Sequence, residues 1–315
     1  MKKQNELTML FEEAERSRQV VNPCAQGIRC PICWREFPRE AIINKQVTVE
    51  HIPQQSWGSI CSEITCADCN RSFGWKYQGK ASPLKDCENL KICTSKKRHH
   101  AKVIVDQQDF NAVVYNDKDG KLCIQGSRKN NRPEVTKYWL EKNTNKILAR
   151  SIKVLLKTPY NQKAVEKVLL RDAYLLAFHY LGYYFLCAKQ MQDIRTILYE
   201  DKLVPSGAVW SLPQVPIVNQ QANGLFLWIE TPMELACILV QWNVPNVGIR
   251  YVVLPFFPCN WATYVELCDA WVKTNKEQAN VDISVVALRF HQSARFSPRL
   301  RQTPESNGII LFSAE

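Results

Sequence analysis

The sequence predicts an α+β protein, with a small metal-stapled module at the N-terminus followed by a larger mixed α/β domain. Three observations predict it. Two CxxC pairs, Cys30-Pro-Ile-Cys33 and Cys66-Ala-Asp-Cys69, punctuate a turn-rich stretch with few core residues of its own. Asn161 to Gln190 carries a long helical pattern, and the C-terminal third holds short runs of aromatic and β-branched residues. At 315 residues the chain has room for two cores, and we place the boundary between residues 1–100 and 101–315.

Asn5 to Arg18 sets Leu7, Leu10, Phe11 and Ala14 at helical spacing, so an amphipathic helix leads in. From Asn22 to about Tyr77, Pro23, Gly27, Pro31, Pro38 and Pro53 interrupt any long element, and such a stretch needs a staple. Within it, Val47 to Ile52 reads as a short strand stopped by Pro53, and Asn70 opens a helix that runs through Trp75.

Further on, Phe110 to Tyr115 and Lys121 to Ile124 flank an Asp119-Gly120 step, which signals a hairpin. The helix over Asn161 to Gln190 should bend near Gly182 and bury Val165, Val168, Leu169, Leu176 and Leu186. Strands are expected at Gly224 to Ile229, Ile249 to Phe257 and Ile283 to Phe290. Helices are expected between them at Pro232 to Trp242 and Asn260 to Lys273.

Apolar residues at 46% and charged residues at 23% exclude a disordered chain. The most apolar run, Val168 to Cys187, contains Arg171, Asp172 and His179, so it reads as a buried helix and no membrane association is expected. The chain opens Met1-Lys2-Lys3 with no apolar leader, so the expected compartment is the reducing cytoplasm. There, close cysteine pairs among the thirteen are metal ligands rather than disulfides, while Cys123, Cys187, Cys237 and Cys268 read as small core residues.

A net charge of +11 favours a polyanionic partner. Between Arg71 and His100 there are eight Lys or Arg against two acids, which concentrates that charge beside the cysteine module. Arg71, Lys76, Lys96, Lys97 and Arg98 are the candidate nucleic-acid contacts. Trp57, Phe73 and Trp75 are expected to pack on the module rather than to stack on bases.

The two CxxC pairs are 32 residues apart, a separation that closes a tetrahedral Cys30, Cys33, Cys66 and Cys69 site for structural Zn2+. Between the pairs, Val47-Thr-Val-Glu50-His51-Ile-Pro53 delivers an acid and a histidine side by side on a strand, and Asn70 follows the last cysteine directly. From Cys30 to Gly74 these residues resemble the HNH, or ββα-metal, endonucleases, in the branch with two CxxC pairs that includes the phage endonuclease VII.

The resemblance implies a zinc-organised nuclease module that hydrolyses phosphodiester bonds of DNA, or of RNA. His51 would be the general base, and Glu50 and Asn70 would hold a catalytic Mg2+ or Mn2+. The chemistry suits these side chains, because a hard oxygen-ligated cation neutralises the scissile phosphate while an imidazole takes a proton from water. Glu50 stands where the family more often has Asp, and Cys61 where many members have Asn. Members act in restriction, resolution and antiphage defence, and a defence or restriction role is the leading expectation.

Asp172 to Tyr183, followed by Asp193-Ile-Arg195, is also similar to a segment downstream of the module in uncharacterised bacterial HNH proteins. The C-terminal domain is expected to position substrate or to bind a protein partner or signal molecule. The competing reading is a non-catalytic zinc ribbon that binds nucleic acid as one subunit of a larger complex.

Overall fold

A computed structural model of the protein describes residues 2–91, 97–105, 108–126, 131–144, 152–156, 160–205, 208–210, 224–228, 237–244, 248–255, 266 and 285–287. It is an α+β fold. In chain order its elements are α1 (Lys2–Val21), β1 (Ile28–Arg29), β2 (Glu36–Phe37), β3 (Val47–Ile52), β4 (Cys61–Cys66) and α2 (Ala67–Phe73), the last running on as a π-helical turn at Gly74–Gln78. Next come α3 (Gly79–Ala81), α4 (Pro83–Lys91), β5 (His99–Val105), β6 (Gln108–Asn116), β7 (Leu122–Gly126), α5 (Pro133–Thr144) and β8 (Ile152–Leu156). Then follow α6 (Gln162–Leu186), α7 (Lys189–Tyr199), β9 (Val209–Trp210), β10 (Gly224–Trp228), β11 (Cys237–Val244), β12 (Gly248–Pro255) and β13 (Val285–Ala287).

The chain forms two compact units, one of residues 1–79 with 162–315 and one of residues 80–161. This division differs from the single boundary expected at 100/101. Residues 80–100 go with the following sheet, and α6 returns to the N-terminal module. Helical periodicity shows which face of α6 is apolar, but not which distant surface covers that face.

The smaller unit is a four-stranded antiparallel sheet in the order β7-β6-β5-β8. Val103, Val105, Phe110, Ala112 and Val114 form its core together with Leu90 of α4. The β6–β7 hairpin turns where the Asp-Gly step predicts, with Gly120 at φ 78°, a left-handed conformation that glycine adopts without a Cβ clash. His99 and His100 alternate inward and outward on β5, as strand pleating requires.

The larger unit joins the N-terminal module to α6, α7 and a five-stranded antiparallel sheet ordered β13-β10-β11-β12-β9. Helix α1 runs longer than expected and buries Leu10, Phe11 and Ala14. Helix α6 bends where predicted, with Gly182 at φ 62° and ψ −156°. Its first part is buried on nearly every side, as its apolar composition requires.

One expected element is of the other type: the spacing over Pro232 to Trp242 predicts a helix, and Cys237–Val244 is strand β11. Cys237 through Trp242 are all buried. A central strand covered on both faces loses the period-2 alternation, and its continuous apolar run then mimics a buried helix. The helix expected at Asn260 to Lys273 lies outside the described residues apart from Glu266. Among the isolated cysteines, Cys237 is buried and Cys123 half-buried, whereas Cys187 is exposed; Cys268 lies outside the described residues. No helix among the described residues is long and apolar enough to cross a membrane.

Candidate functional site

The four cysteines meet at one point. Cys30 leaves β1 into a tight turn in which Trp34 N–H donates to the Cys30 carbonyl at 2.9 Å, and Cys66 ends β4. All four sulfurs lie within 4.8 Å of one another, a cluster that can bind a metal such as zinc. A tetrahedral site with Zn–S bonds of about 2.3 Å has sulfur–sulfur edges near 3.8 Å. The Cys33 and Cys66 sulfurs are 3.7 Å apart, so the cluster fits that ion.

The local hydrogen bonds favour thiolates at Cys33 and Cys66, whereas burial pushes the Cys30 thiol up and contact with Cys30 pushes the Cys69 thiol up. Cys66 Sγ accepts from the Cys69 N–H at 3.4 Å, and Arg35 donates to Cys33 Sγ at 3.4 Å and to Cys66 Sγ at 3.6 Å. The Cys66 thiol is pushed down to about 7, chiefly by its contact with Cys30.

Helix α2 begins at Ala67 with Cys66 as its cap, and the Cys66 sulfur fills the role that a side-chain oxygen usually takes. Asn70, expected to open the helix, therefore lies inside it. Its side-chain amide donates to the Val49 carbonyl at 3.3 Å and ties the helix to β3.

The hairpin explains where the acid and the histidine go. In the β3–β4 register Glu50 faces Glu63 and His51 faces Ser62. Pleating sends successive side chains to opposite faces, so adjacency in sequence separates Glu50 from His51. His51 is half-buried, with Nδ1 3.3 Å from the Ser62 hydroxyl.

Glu50 is 3% exposed and forms a two-point ion pair with the Arg171 guanidinium, Oε1 to Nη1 at 2.9 Å and Oε2 to Nη2 at 3.1 Å. The Gln78 side chain adds a third contact by donating to Glu50 Oε1 at 2.9 Å. Arg171 is fully buried, with its guanidinium carbon 4.2 Å from the centre of the Phe73 ring.

More charge lies on the same side. Glu63, also fully buried, accepts from the Ile64 N–H at 2.9 Å and stands 3.4 Å from His179 Nδ1. Asp172 accepts from the Gln54 N–H at 3.3 Å. Burial pushes the Asp172 carboxyl well above the usual carboxylate range, despite the neighbouring Arg171.

Both oxygens of Glu50 are thus engaged by a cation, and its side chain is almost sealed from solvent. A dication placed there would sit beside a guanidinium and be repelled by it. As arranged, Glu50 and Asn70 do not fit a shared Mg2+ or Mn2+. His51, Glu50 and Asn70 each have a separate hydrogen-bond partner.

A groove of about 570 Å³ runs past Asn70, lined by Ile42, Ile43, Lys45, Thr48 and Arg71 among others, with no acid in its lining. His51 is outside that lining. Of the predicted basic contacts, Arg71 is exposed in this groove and Lys76 is 3.7 Å from Asp201. In the smaller unit Lys97 pairs with Asp86 at 2.7 Å and Arg98 lies 4.7 Å from the Tyr115 ring centre. Lys96 lies outside the described residues. Trp57 and Phe73 are core residues as expected, but Trp75 is 85% exposed.

Sequence reasoning missed Ser62, Glu63, Gln78, Arg171, Asp172 and His179 as members of this site. One signal was available for three of them. Arg171, Asp172 and His179 interrupt the most apolar run of the chain, and charge in a buried helix demands partners. Helix α6 also clamps the cysteine turn, where Tyr174 donates to the Pro31 carbonyl at 2.9 Å and the Tyr183 hydroxyl accepts from Arg29 N–H at 2.8 Å. No family model, curated relative or solved structure matches the chain.

Proposed function

We propose that the chain is an HNH-type endonuclease, with Zn2+ in the four-cysteine cluster and His51 as the general base for phosphodiester hydrolysis of DNA. The observation that carries the reading is the hairpin–helix unit: β3 pairs with β4 and α2 follows β4 directly, pinned by one cysteine cluster, with His51 at the far end of β3. The charge of +11 and the acid-free groove beside Asn70, with Lys45 and Arg71 in its lining, support a polyanionic substrate.

In this reading Nδ1–H of His51 donates to the Ser62 hydroxyl, which leaves the Nε2 lone pair to take the proton of an attacking water. Ser62 is then a positioning residue that fixes the tautomer. Glu50 is committed to Arg171 and Asn70 to the Val49 carbonyl, so both act here by holding the hairpin against α6 and α2.

Zinc-loaded protein incubated with Mg2+ or Mn2+ should convert supercoiled plasmid to nicked or linear forms. His51→Ala should lower cleavage by at least about a hundredfold while leaving zinc content and circular dichroism unchanged. Equal cutting by His51→Ala would sink the mechanism.

The Glu50–Arg171 pair favours a second reading, a zinc ribbon that binds nucleic acid without cutting it. Retained oligonucleotide binding with no cleavage under either metal, alone or with partner proteins, would select that reading.

A further inference from the structure

Helix α2 and the π-helical turn that prolongs it divide their side chains between two settings. Phe73 is buried against Arg171, the ring centres of Phe73 and Tyr77 are 4.9 Å apart, and Gln78 reaches Glu50. These contacts anchor the turn on its inner side and leave Trp75 on the outer side, 85% exposed. A tryptophan carries a large apolar surface and is seldom left so open to water.

Arg71 stands four residues before Trp75 on the same helical run, at the spacing of helical neighbours, and both are exposed. Arg71 also lines the groove of about 570 Å³ beside Asn70. That lining combines Lys45 with Leu7, Ile42 and Ile43 and contains no acid. Ile43 is itself 76% exposed. Two cations, an aliphatic groove and an open aromatic ring therefore share one face of the zinc module.

We infer that this face, formed by α2 and the turn before β3, binds single-stranded DNA, with Arg71 and Lys45 on phosphates and a base stacked on Trp75. The inference rests on the nucleic-acid reading given above and adds the strand state of the substrate. A duplex hides the faces of its bases within its own stack and presents phosphates, sugars and groove edges. An exposed indole and an apolar groove find no matching surface on it. A single strand presents a charged backbone and open base faces together, which is what cations interleaved with an aromatic platform bind. The cations favour either form, whereas the apolar and aromatic surface favours the single strand. Negative supercoiling favours strand opening, so nicking of supercoiled plasmid is consistent with this preference.

The test is fluorescence anisotropy with the zinc-loaded full chain, without added Mg2+ or Mn2+ so that nothing is cut. The probes are a labelled thymidine oligonucleotide, long enough at about 20 nucleotides to cover one site, and the same strand paired with its complement. The single strand should bind at least about tenfold more tightly than the duplex at equal salt. Trp75→Ala should weaken single-strand binding about tenfold and leave duplex binding within about twofold, while Trp75→Phe should keep most of the wild-type affinity. Arg71→Ala and Lys45→Ala should each make the salt dependence of single-strand binding shallower, by about 0.7 in the log–log slope, the share of one phosphate.

Equal or tighter binding of the duplex overturns the inference, as does a Trp75→Ala protein that binds the single strand like the wild type, or a wild type that binds neither form. The substituted side chains are exposed, so zinc content and circular dichroism should not change. Should Trp75→Ala lose either, the wild-type comparison of strand with duplex and the Arg71→Ala salt slope decide. His51→Ala separates the two levels. Loss of plasmid cleavage in that variant upholds the nuclease reading even where the duplex binds better, and undiminished cutting removes that mechanism whatever the binding result.

Discussion

The two faces of the β3–β4 hairpin carry the same kinds of residue in opposite settings. On one face Glu50 and Glu63 are sealed under α6 and held by Arg171, Gln78 and His179. On the other, His51 and Ser62 are half-buried and linked to each other by one contact of 3.3 Å. A titratable group under a helix is costly to leave without a partner, so it is hard to release. A group at a half-open surface has fewer protein partners and more contact with solvent. The difference teaches that the residue next to a candidate base need not share its environment, because one step along a strand changes the face.

Both faces depend on the cysteine cluster, so the largest effect should come from breaking it. Cys66→Ala removes one sulfur of the candidate zinc cluster and the cap of α2 together. Structural zinc sites contribute on the order of 10 kcal/mol to the folding of small domains. Zinc content should fall and the first thermal transition should disappear, whereas a zinc-free variant with an unchanged melt would show that α6 alone holds the hairpin.

The contrast between the faces predicts the next effect. Removing one partner of the sealed pair, as in Glu50→Ala, leaves a buried guanidinium unpaired and should cost about 3–5 kcal/mol in urea unfolding. The double variant Glu50→Ala/Arg171→Met should recover a large part of that loss. His51→Ala, on the other face, should change stability by less than about 0.5 kcal/mol. Similar costs for the two single variants would erase the distinction.

Asp172 gives the pH dependence of the sealed face. Its carboxyl is raised in the folded state, so the folded protein holds this proton more tightly than the unfolded chain does. Its contribution is fully present below the unfolded value, near pH 4, and is lost as pH rises through the folded value. Asp172→Asn should therefore be more stable than wild type at neutral pH and should show a flatter stability profile above pH 4. A steeper profile would mean that the charged form is the one held.

The smallest effect belongs to Ser62→Ala, which removes a single contact to His51. It should lower kcat by a few-fold to about tenfold with KM unchanged, the worth of one hydrogen bond. A change in KM alone would place Ser62 in substrate binding.

Much of the framework was legible from local signals. The CxxC spacing located the cysteine cluster, proline and glycine marked the turn-rich module, the Asp-Gly step fixed the β6–β7 hairpin, and Gly182 marked the bend of α6. Each of these rests on residues close together in sequence or on ligand chemistry that tolerates distance. The strand character of β11 was hidden because burial on both faces erased its periodicity.

By itself, then, the sequence determined the cysteine quartet, the β3 strand with its Glu50-His51 step, the basic balance of the chain and the existence of an apolar helix interrupted by charge. Only the tertiary structure decided that Arg171, 121 residues from Glu50, is the partner of that carboxylate, and that Glu50 and His51 belong to opposite faces. The physical reason is that periodicity and spacing report which way a side chain points, whereas charge pairing depends on which distant surface comes to cover it.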